Sequence, residues 1–319
     1  MSDNVIWIAG AGNMAKEYAK VLREMKEEFI TIGRGEKSAQ NFEAELGSKV
    51  IRGGIKNYIE ESTTKPRSVI VCVNDEELAN TTLILLKYGI KNILVEKPGG
   101  LSYYEIESIV KASKEHDAQV FVAYNRRFYS SVLKALEIIK EDGGVKSFNF
   151  EFTEWSHIIE TLDKPAAVLR NWLEANSSHV IDMAFFIGGA PRIMKTFKAG
   201  GLNWHPSSSI FSGAGISDNG ALFSYQANWE SPGRWGVEIL TKNFRLIFKP
   251  LEKLQIQKKG SVAVEEYTLD DLLDKEFKPG IYKQVHSFLN KDYSNLCTIE
   301  NQLLNFTYFD KIKNGESSN

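Results

Sequence analysis

The sequence predicts an α/β protein: an amino-terminal, doubly wound parallel sheet, then a second α/β domain with an open, mostly antiparallel sheet. Three observations carry this. Short, continuously apolar runs alternate with helical patterns from residue 5 to residue 122. A glycine-rich turn joins the first run to the first helix. Beyond residue 123 apolar and polar residues alternate, and short turn-forming stretches separate the alternating segments.

Taken in order, "VIWIAG" (5–10) reads as a strand, with Ala15, Tyr18, Ala19 and Leu22 behind it at helical spacing. "EFITIG" (28–33) is a second strand, followed by a polar helix from Lys37 to Leu46. "RSVIVCVN" (67–74) and "NILVEK" (92–97) are strands around a helix over 78–89. Ser102 with Glu105 three residues on has the spacing of a capping box, which opens a helix over 102–116, and "AQVFVAY" (118–124) is a further strand. Then come a helix from Ser131 to Lys140, the alternating "VKSFNFEFTEW" (145–155), and a helix over 177–189 closed by Gly188 and Gly189. Hairpin turns are expected at "SDNG" (217–220), "TKN" (241–243) and "KKG" (258–260). Helices over 281–290 and 298–312 end the pattern, and the polar tail "KNGESSN" is expected to be mobile.

At 319 residues the chain exceeds one ordinary core. The division read from the pattern is a dinucleotide-binding domain over 1–122 and a substrate-binding and oligomerisation domain over 123–319. The formal charge of −2, with 43% apolar and 25% charged residues, is that of a soluble globular chain with no basic excess for nucleic acid or an anionic membrane. The first residues lack the basic segment and long apolar segment of a secretory leader, and no apolar stretch approaches the ~20 residues of a spanning helix. Cys72 and Cys297 form no disulfide framework. The expected compartment is the cytoplasm.

"GAGNMA" (10–15) fits the dinucleotide fingerprint G-x-G-x-x-A after a strand and before a helix. Gly10 permits the tight turn, Gly12 lets a pyrophosphate approach the backbone, Ala15 lets the helix lie close to the sheet, and Asn13 is expected to cap the helix. Gly10, Gly12, Asn13 and Met14 are therefore candidate cofactor residues. A tight turn without ligand, or the glycine loop of a methyltransferase, would share the pattern. The second strand ends at Gly33, where a site for NAD would carry an acid for the ribose 2′-hydroxyl, and Arg34 follows. A missing carboxylate and an added guanidinium suit a 2′-phosphate, with Lys37 and Ser38 able to help. NADP(H) is expected in preference to NAD(H).

"ILVEKPGG" (93–100) delivers Glu96 and Lys97 to a strand's carboxyl end, where ligands of doubly wound sheets sit, and Asn74 occupies the same edge after "IVCV". With this the sequence resembles the Gfo/Idh/MocA oxidoreductases, over nearly its whole length. "GAGNMA" is similar to their fingerprint, "CVNDEELANTTLILLKYGIKNILVEKP" (72–98) to their strand–Asn–helix–strand–EKP block, "YNRRF" (124–128) to their crossover, and "SSHVIDMAFFIGG" (177–189) to their His-x-x-Asp helix.

The resemblance implies a Rossmann domain, then a domain whose sheet often forms the subunit interface, so a homodimer or homotetramer is expected. It implies that Lys97 lies near the nicotinamide and the reacting carbon as proton donor, that Glu96 and Asn74 help fix the cofactor, and that Asn125 lines the nicotinamide side. His179 takes the family's substrate-facing histidine position and Asp182 a structural one. The acid usually found four residues before that histidine is replaced by Ala175, leaving Glu174 or Asn176 to supply the contact. Arg170, Trp172 and Asn176 are candidate substrate contacts beside Lys97 and His179. His116, His157, His205 and His286 show no metal-ligand spacing, and no metal is expected. The implied activity is hydride transfer to or from a polyhydroxylated substrate, foremost a keto-sugar or sugar nucleotide. An inositol or diol dehydrogenase, or a dinucleotide-binding regulatory protein without catalysis, are the alternatives.

Overall fold

The computed structural model describes residues 5–317. The first four residues, which begin the stretch read for a leader, lie outside it, as do the last two of the polar tail. Residues Met1–Asn125 and Leu273–Leu304 form one compact unit, and Arg126–Leu272 with Asn305–Asn319 form a second.

In the first unit the apolar runs become β1 (Ile6–Ala9), β2 (Phe29–Ile32), β3 (Val50–Ile51), β4 (Ser68–Val71), β5 (Asn92–Glu96) and β6 (Gln119–Ala123). The sheet has seven strands in the order Cys297–Thr298, β6, β5, β4, β1, β2, β3. All pair in parallel except Cys297–Thr298, which runs antiparallel to β6. Both faces are covered, so β1 and β4 are buried along their whole length. The expected capping box is present: the Ser102 side chain accepts from the Glu105 backbone, and Glu105 accepts from the backbone of Ser102.

The sequence reading ended the first domain at residue 122. The segment from Leu273 to Leu304 returns to this unit because its apolar surface is used there. The helix Ile281–Leu289 buries Ile281, Val285 and Phe288 and packs on α1 (Asn13–Glu24), while the Gln302 side chain donates to the Pro98 carbonyl (2.9 Å) and to the Tyr124 hydroxyl (3.0 Å). These contacts span some 180 to 200 residues of sequence, so no local pattern announces them.

The second unit contains β7 (Ser147–Glu151), β8 (Pro191–Ala199), β9 (Ile210–Ser217), β10 (Leu222–Asn228), β11 (Gly236–Leu240), β12 (Phe244–Phe248), β13 (Gln255–Lys258) and β14 (Val264–Glu266). The order is β14, β13, β12, β11, β7, β10, β9, β8 and Glu316–Ser317, with β7 parallel to β10 and most other pairs antiparallel. All three expected turns join neighbouring strands. The tail is partly fixed, since Glu316 and Ser317 pair with Phe197 and Lys198.

One face of this sheet is aromatic. Phe148 stacks on Phe223 (5.2 Å) and Phe150 on Tyr225 (5.3 Å), and Phe185 of the helix Ser178–Gly188 meets Phe150 edge-on. A side chain at Gly188 would enter the Phe148 ring, which explains a glycine there. The other face carries rows set by strand register: Ile193–Ile216–Leu222, then Lys195–Ala214–Ser224–Asn149, then Phe197–Ser212–Gln226–Glu151. Among the described residues no helix is long and apolar enough to cross a membrane.

Candidate active site

Strand register places the first unit's candidates on one edge. Ala9 pairs with Val71 and Val71 with Val95, so Gly10, Cys72 and Glu96 follow at the same level. Gly10 has φ +130°, and a Cβ there would lie 2.4 Å from the Cys72 carbonyl oxygen, so no other residue makes this turn. A Cβ on Gly12 would point into open space, and α1 begins immediately after Gly12 with no side-chain cap. The expectation that Asn13 caps α1 is thus corrected. Gly12 is the extended N-cap and Asn13 the first helical residue, which leaves the first-turn amides to an incoming group.

A groove of about 330 Å³ opens on this edge, lined among others by Gly10, Gly12, Arg34, Ser38, Lys56 and Asn74. The site candidates Gly10, Gly12, Arg34 and Asn74 come together here. Lys56 was missed: it lies in a helix, Gly54–Glu61, that the polar stretch did not suggest. Glu77 also lines the groove, and Arg34 Nη1 lies 3.2 Å from its Oε1. A Cβ on Gly33 would lie 2.8 Å from the Ala11 Cβ and 3.0 Å from Val50 Cγ1, so the usual acid of an NAD site has no room there. An open glycine turn, uncapped amides and flanking cations fit a dinucleotide.

Glu96 and Lys97 close β5 outside that lining. The Tyr18 hydroxyl of α1 donates to Glu96 Oε1 at 2.5 Å. Burial pushes the Glu96 carboxyl up, while Tyr18, Lys97 and Lys278 pull it down, and burial also pushes the Tyr18 hydroxyl up. Glu96 therefore joins the EKP strand to the glycine-loop helix. Met14 lies against Lys278, whose Nζ is 3.2 Å from its sulfur. Asn125 is buried and donates to the Pro279 carbonyl at 2.9 Å.

In the second unit His179 is the second residue of the helix Ser178–Gly188, 7% exposed, with its ring 6.3 Å from Trp235. Asp182, one turn on, accepts from Arg127 Nε (2.8 Å) and Nη2 (2.5 Å) and from Asn305 (3.1 Å), so it is fully engaged in packing. The residues before His179 form a π-helical turn, Leu173–Ser177, with Ala175 buried inside it. Such turns are rare and concentrate at functional sites. Glu174 is tied to Lys313 Nζ at 2.5 Å. Asn176 Nδ2 (3.0 Å) and the Ser177 hydroxyl (2.8 Å) donate to Glu154 Oε1. Arg170 is exposed, and Trp172 is buried edge-on to Trp204 at 6.1 Å.

Glu154 was missed by sequence reasoning. It is 2% exposed, beyond the end of β7, with Arg234 Nη1 3.7 Å from its Oε2. Burial pushes its carboxyl up to about 7, against the pull of Ser177, Asn176, Arg234 and Trp172. The signal available was Glu154 itself, which follows Phe148, Phe150 and Phe152 on the apolar phase of the alternating segment.

Residues 5–124 match the profile of a family described as an oxidoreductase family with an NAD-binding Rossmann fold. Those residues resemble the NAD-binding Rossmann domain of the Gfo/Idh/MocA oxidoreductases. Solved structures extend the likeness in fold to both units. A levoglucosan dehydrogenase in complex with NADH is 16% identical, with 97% of this chain and 95% of that chain covered at a TM-score of 0.78. A UDP-N-acetylglucosamine 3-dehydrogenase from Acidithiobacillus ferrooxidans is 12% identical, with 97% and 96% covered at 0.73. An oxidoreductase from Agrobacterium radiobacter in complex with NAD+, L-tartaric acid and magnesium is 12% identical, with 97% and 95% covered at 0.77. No curated protein sequence matches the chain.

Proposed function

We propose that the protein is an oxidoreductase that uses NADP(H) in preference to NAD(H) and moves a hydride to or from a CH–OH carbon of a sugar or sugar nucleotide. The observation that supports the reading is the shared edge of β1, β4 and β5, where strand register sets Gly10, Cys72 and Glu96 at one level, Asn74 and Lys97 follow in sequence, and the open glycine turn and Asn74 line one groove. The family match and the sugar dehydrogenases of like fold support it. The preference for NADP(H) is supported by the closed space at Gly33 and by Arg34, Ser38 and Lys56 around the groove.

In this reading Gly12 and the α1 amides would hold the pyrophosphate, and Arg34 would hold a 2′-phosphate through a charge-assisted contact. The bound nicotinamide supplies or accepts the hydride. Lys97 holds the substrate oxygen and gives it a proton in reduction, or takes one in oxidation. His179 hydrogen-bonds the substrate's hydroxyls, and Trp172, with its large apolar face, flanks them. Glu96 positions Lys97 through its bond to Tyr18. The second unit's open sheet face, with Ile193, Phe197 and Leu222 between 47% and 60% exposed, is proposed as the contact of a homo-oligomer.

A pooled screen of keto-sugars and sugar nucleotides, followed by loss of NADPH absorbance, tests the reading. Tight NADPH binding with no turnover of any pool would favour a regulatory protein instead.

A further inference from the structure

A second pocket, also of about 330 Å³, lies wholly within the second unit and is lined by Arg126, Arg234, Trp235, Lys249, Leu251 and Glu252. Its charge is lopsided. Three of those side chains are cationic and one is acidic, and Lys249 is already paired with Glu151 at 3.2 Å. The two guanidiniums share one indole: Arg126 lies 4.9 Å and Arg234 4.7 Å from the Trp235 ring centre. Arg234 also stacks on Trp155 at 4.8 Å. Through Trp235 the pocket adjoins His179.

Arg126 is the unusual member. Its Nε is sealed from solvent and has no hydrogen-bond partner among the described residues. Burial lowers its pKa, and Arg234 adds like-charge repulsion, while Tyr129, Glu252 and Glu154 act on it in the opposite sense. A half-buried guanidinium with a sealed Nε and no carboxylate partner costs stability, and proteins keep such groups where something else supplies the partner. The neighbouring Arg127 shows the contrast, since Asp182 gives it a bidentate carboxylate partner. Cation–π stacking on Trp235 holds the planes of both arginines but leaves their N–H edges for in-plane acceptors. Glu154, 3.7 Å from Arg234, is itself engaged by Asn176 and Ser177.

We propose that this pocket is an anion-binding subsite that takes the carboxylate or phosphate group of an acidic sugar derivative. That the anion belongs to the substrate rests on the oxidoreductase reading above; that the pocket binds an anion does not. Two forks on one indole suit a planar carboxylate or a phosphate equally, so the shared chemistry is an oxyanion on a sugar.

Isothermal titration of the full chain, with and without NADPH, tests this with glucuronate, glucose 1-phosphate, UDP-glucose and neutral glucose as probes. At least one anionic probe should bind roughly 10-fold or more tighter than glucose, as a charge-assisted contact gives. The tightest of the three shows whether a carboxylate, a monoester or a diphosphate is the natural group. Arg126→Gln and Arg234→Gln should each weaken that probe by about 10-fold and leave glucose unchanged. Arg126→Gln should also melt no lower than wild type without anion, because it removes a half-buried charge with no carboxylate partner. Equal affinities for all four probes, or a preference that survives both variants, would overturn the proposal. So would a marked fall in the melting temperature of Arg126→Gln, which would make Arg126 a structural cation. If NADPH fails to bind while the anion preference and its loss in the variants hold, the oxidoreductase reading falls and the subsite stands.

Discussion

The Tyr18 hydroxyl donates to Glu96 Oε1 at 2.5 Å, joining the helix after the glycine turn to the strand that carries Lys97. Tyr18 has no exposed surface, so removing the hydroxyl leaves the Glu96 carboxyl without its principal donor. Tyr18→Phe should cost about 1–3 kcal/mol of stability. It should also push the Glu96 carboxyl higher, since the lost bond opposed burial. Thermal unfolding and NADPH titration check this. A variant with wild-type melting and affinity would show that the brace contributes nothing.

Much of this edge was legible in the sequence because its signals are local. The glycine turn, the β-strand runs and the Ser102–Glu105 box each fall within a few residues, and each formed as expected. Asn13 was misread by one position: the extended backbone of Gly12 ends the turn, so the cap falls on glycine. The return of Leu273–Leu304 and the contacts of Gln302 were illegible, because tertiary packing over long separations decides them. Glu154 was passed over for a related reason. An acid at a strand end reads as solvated, and its burial against Asn176 and Ser177 decides its role.

Cofactor preference follows from Gly33 and Arg34. Wild type should bind NADPH roughly 10- to 150-fold tighter than NADH, the range of one guanidinium–phosphate contact. Arg34→Asp should narrow or reverse that ratio. Gly33→Asp alone should not create an NAD enzyme, because its Cβ meets Ala11 at 2.8 Å, and overpacking should cost about 1–3 kcal/mol. Glu77→Gln should strengthen NADPH binding, since Glu77 competes for Arg34 at 3.2 Å. Nicotinamide fluorescence titrations give all four ratios, and equal wild-type affinities for the two cofactors would remove Arg34's role.

Lys97 and His179 are separable by kinetics. Lys97→Ala should keep cofactor affinity and lose about 10²–10⁴-fold in kcat, the worth of a positioned proton donor. His179→Asn keeps hydrogen-bonding capacity without titrating, so it should raise KM more than it lowers kcat. Steady-state kinetics on one substrate at saturating NADPH make the comparison. A His179→Asn variant that lost kcat as heavily as Lys97→Ala, with KM unchanged, would move the acid–base role to His179.

Glu154 should make the second unit less stable as pH rises through neutrality. Its carboxyl is held at about 7 in the fold, against 4.5 for the free group. Below about pH 4.5 it is protonated in both the folded and unfolded chain, and its contribution to stability is intact. Between 4.5 and 7 the unfolded chain ionises first, which favours unfolding. Above 7 the fold carries a buried carboxylate whose contacts with Ser177, Asn176 and Arg234 do not fully replace water. The difference corresponds to about 3 kcal/mol as an upper figure. Glu154→Gln stays neutral throughout and can still accept from Asn176 and Ser177. Its stability relative to wild type should therefore grow from pH 5 to pH 8, read as the difference between their melting temperatures. A difference that stays flat across that range would mean that Glu154 ionises in the fold as it does in water. The turn leading to His179 would then rest on an ordinary carboxylate.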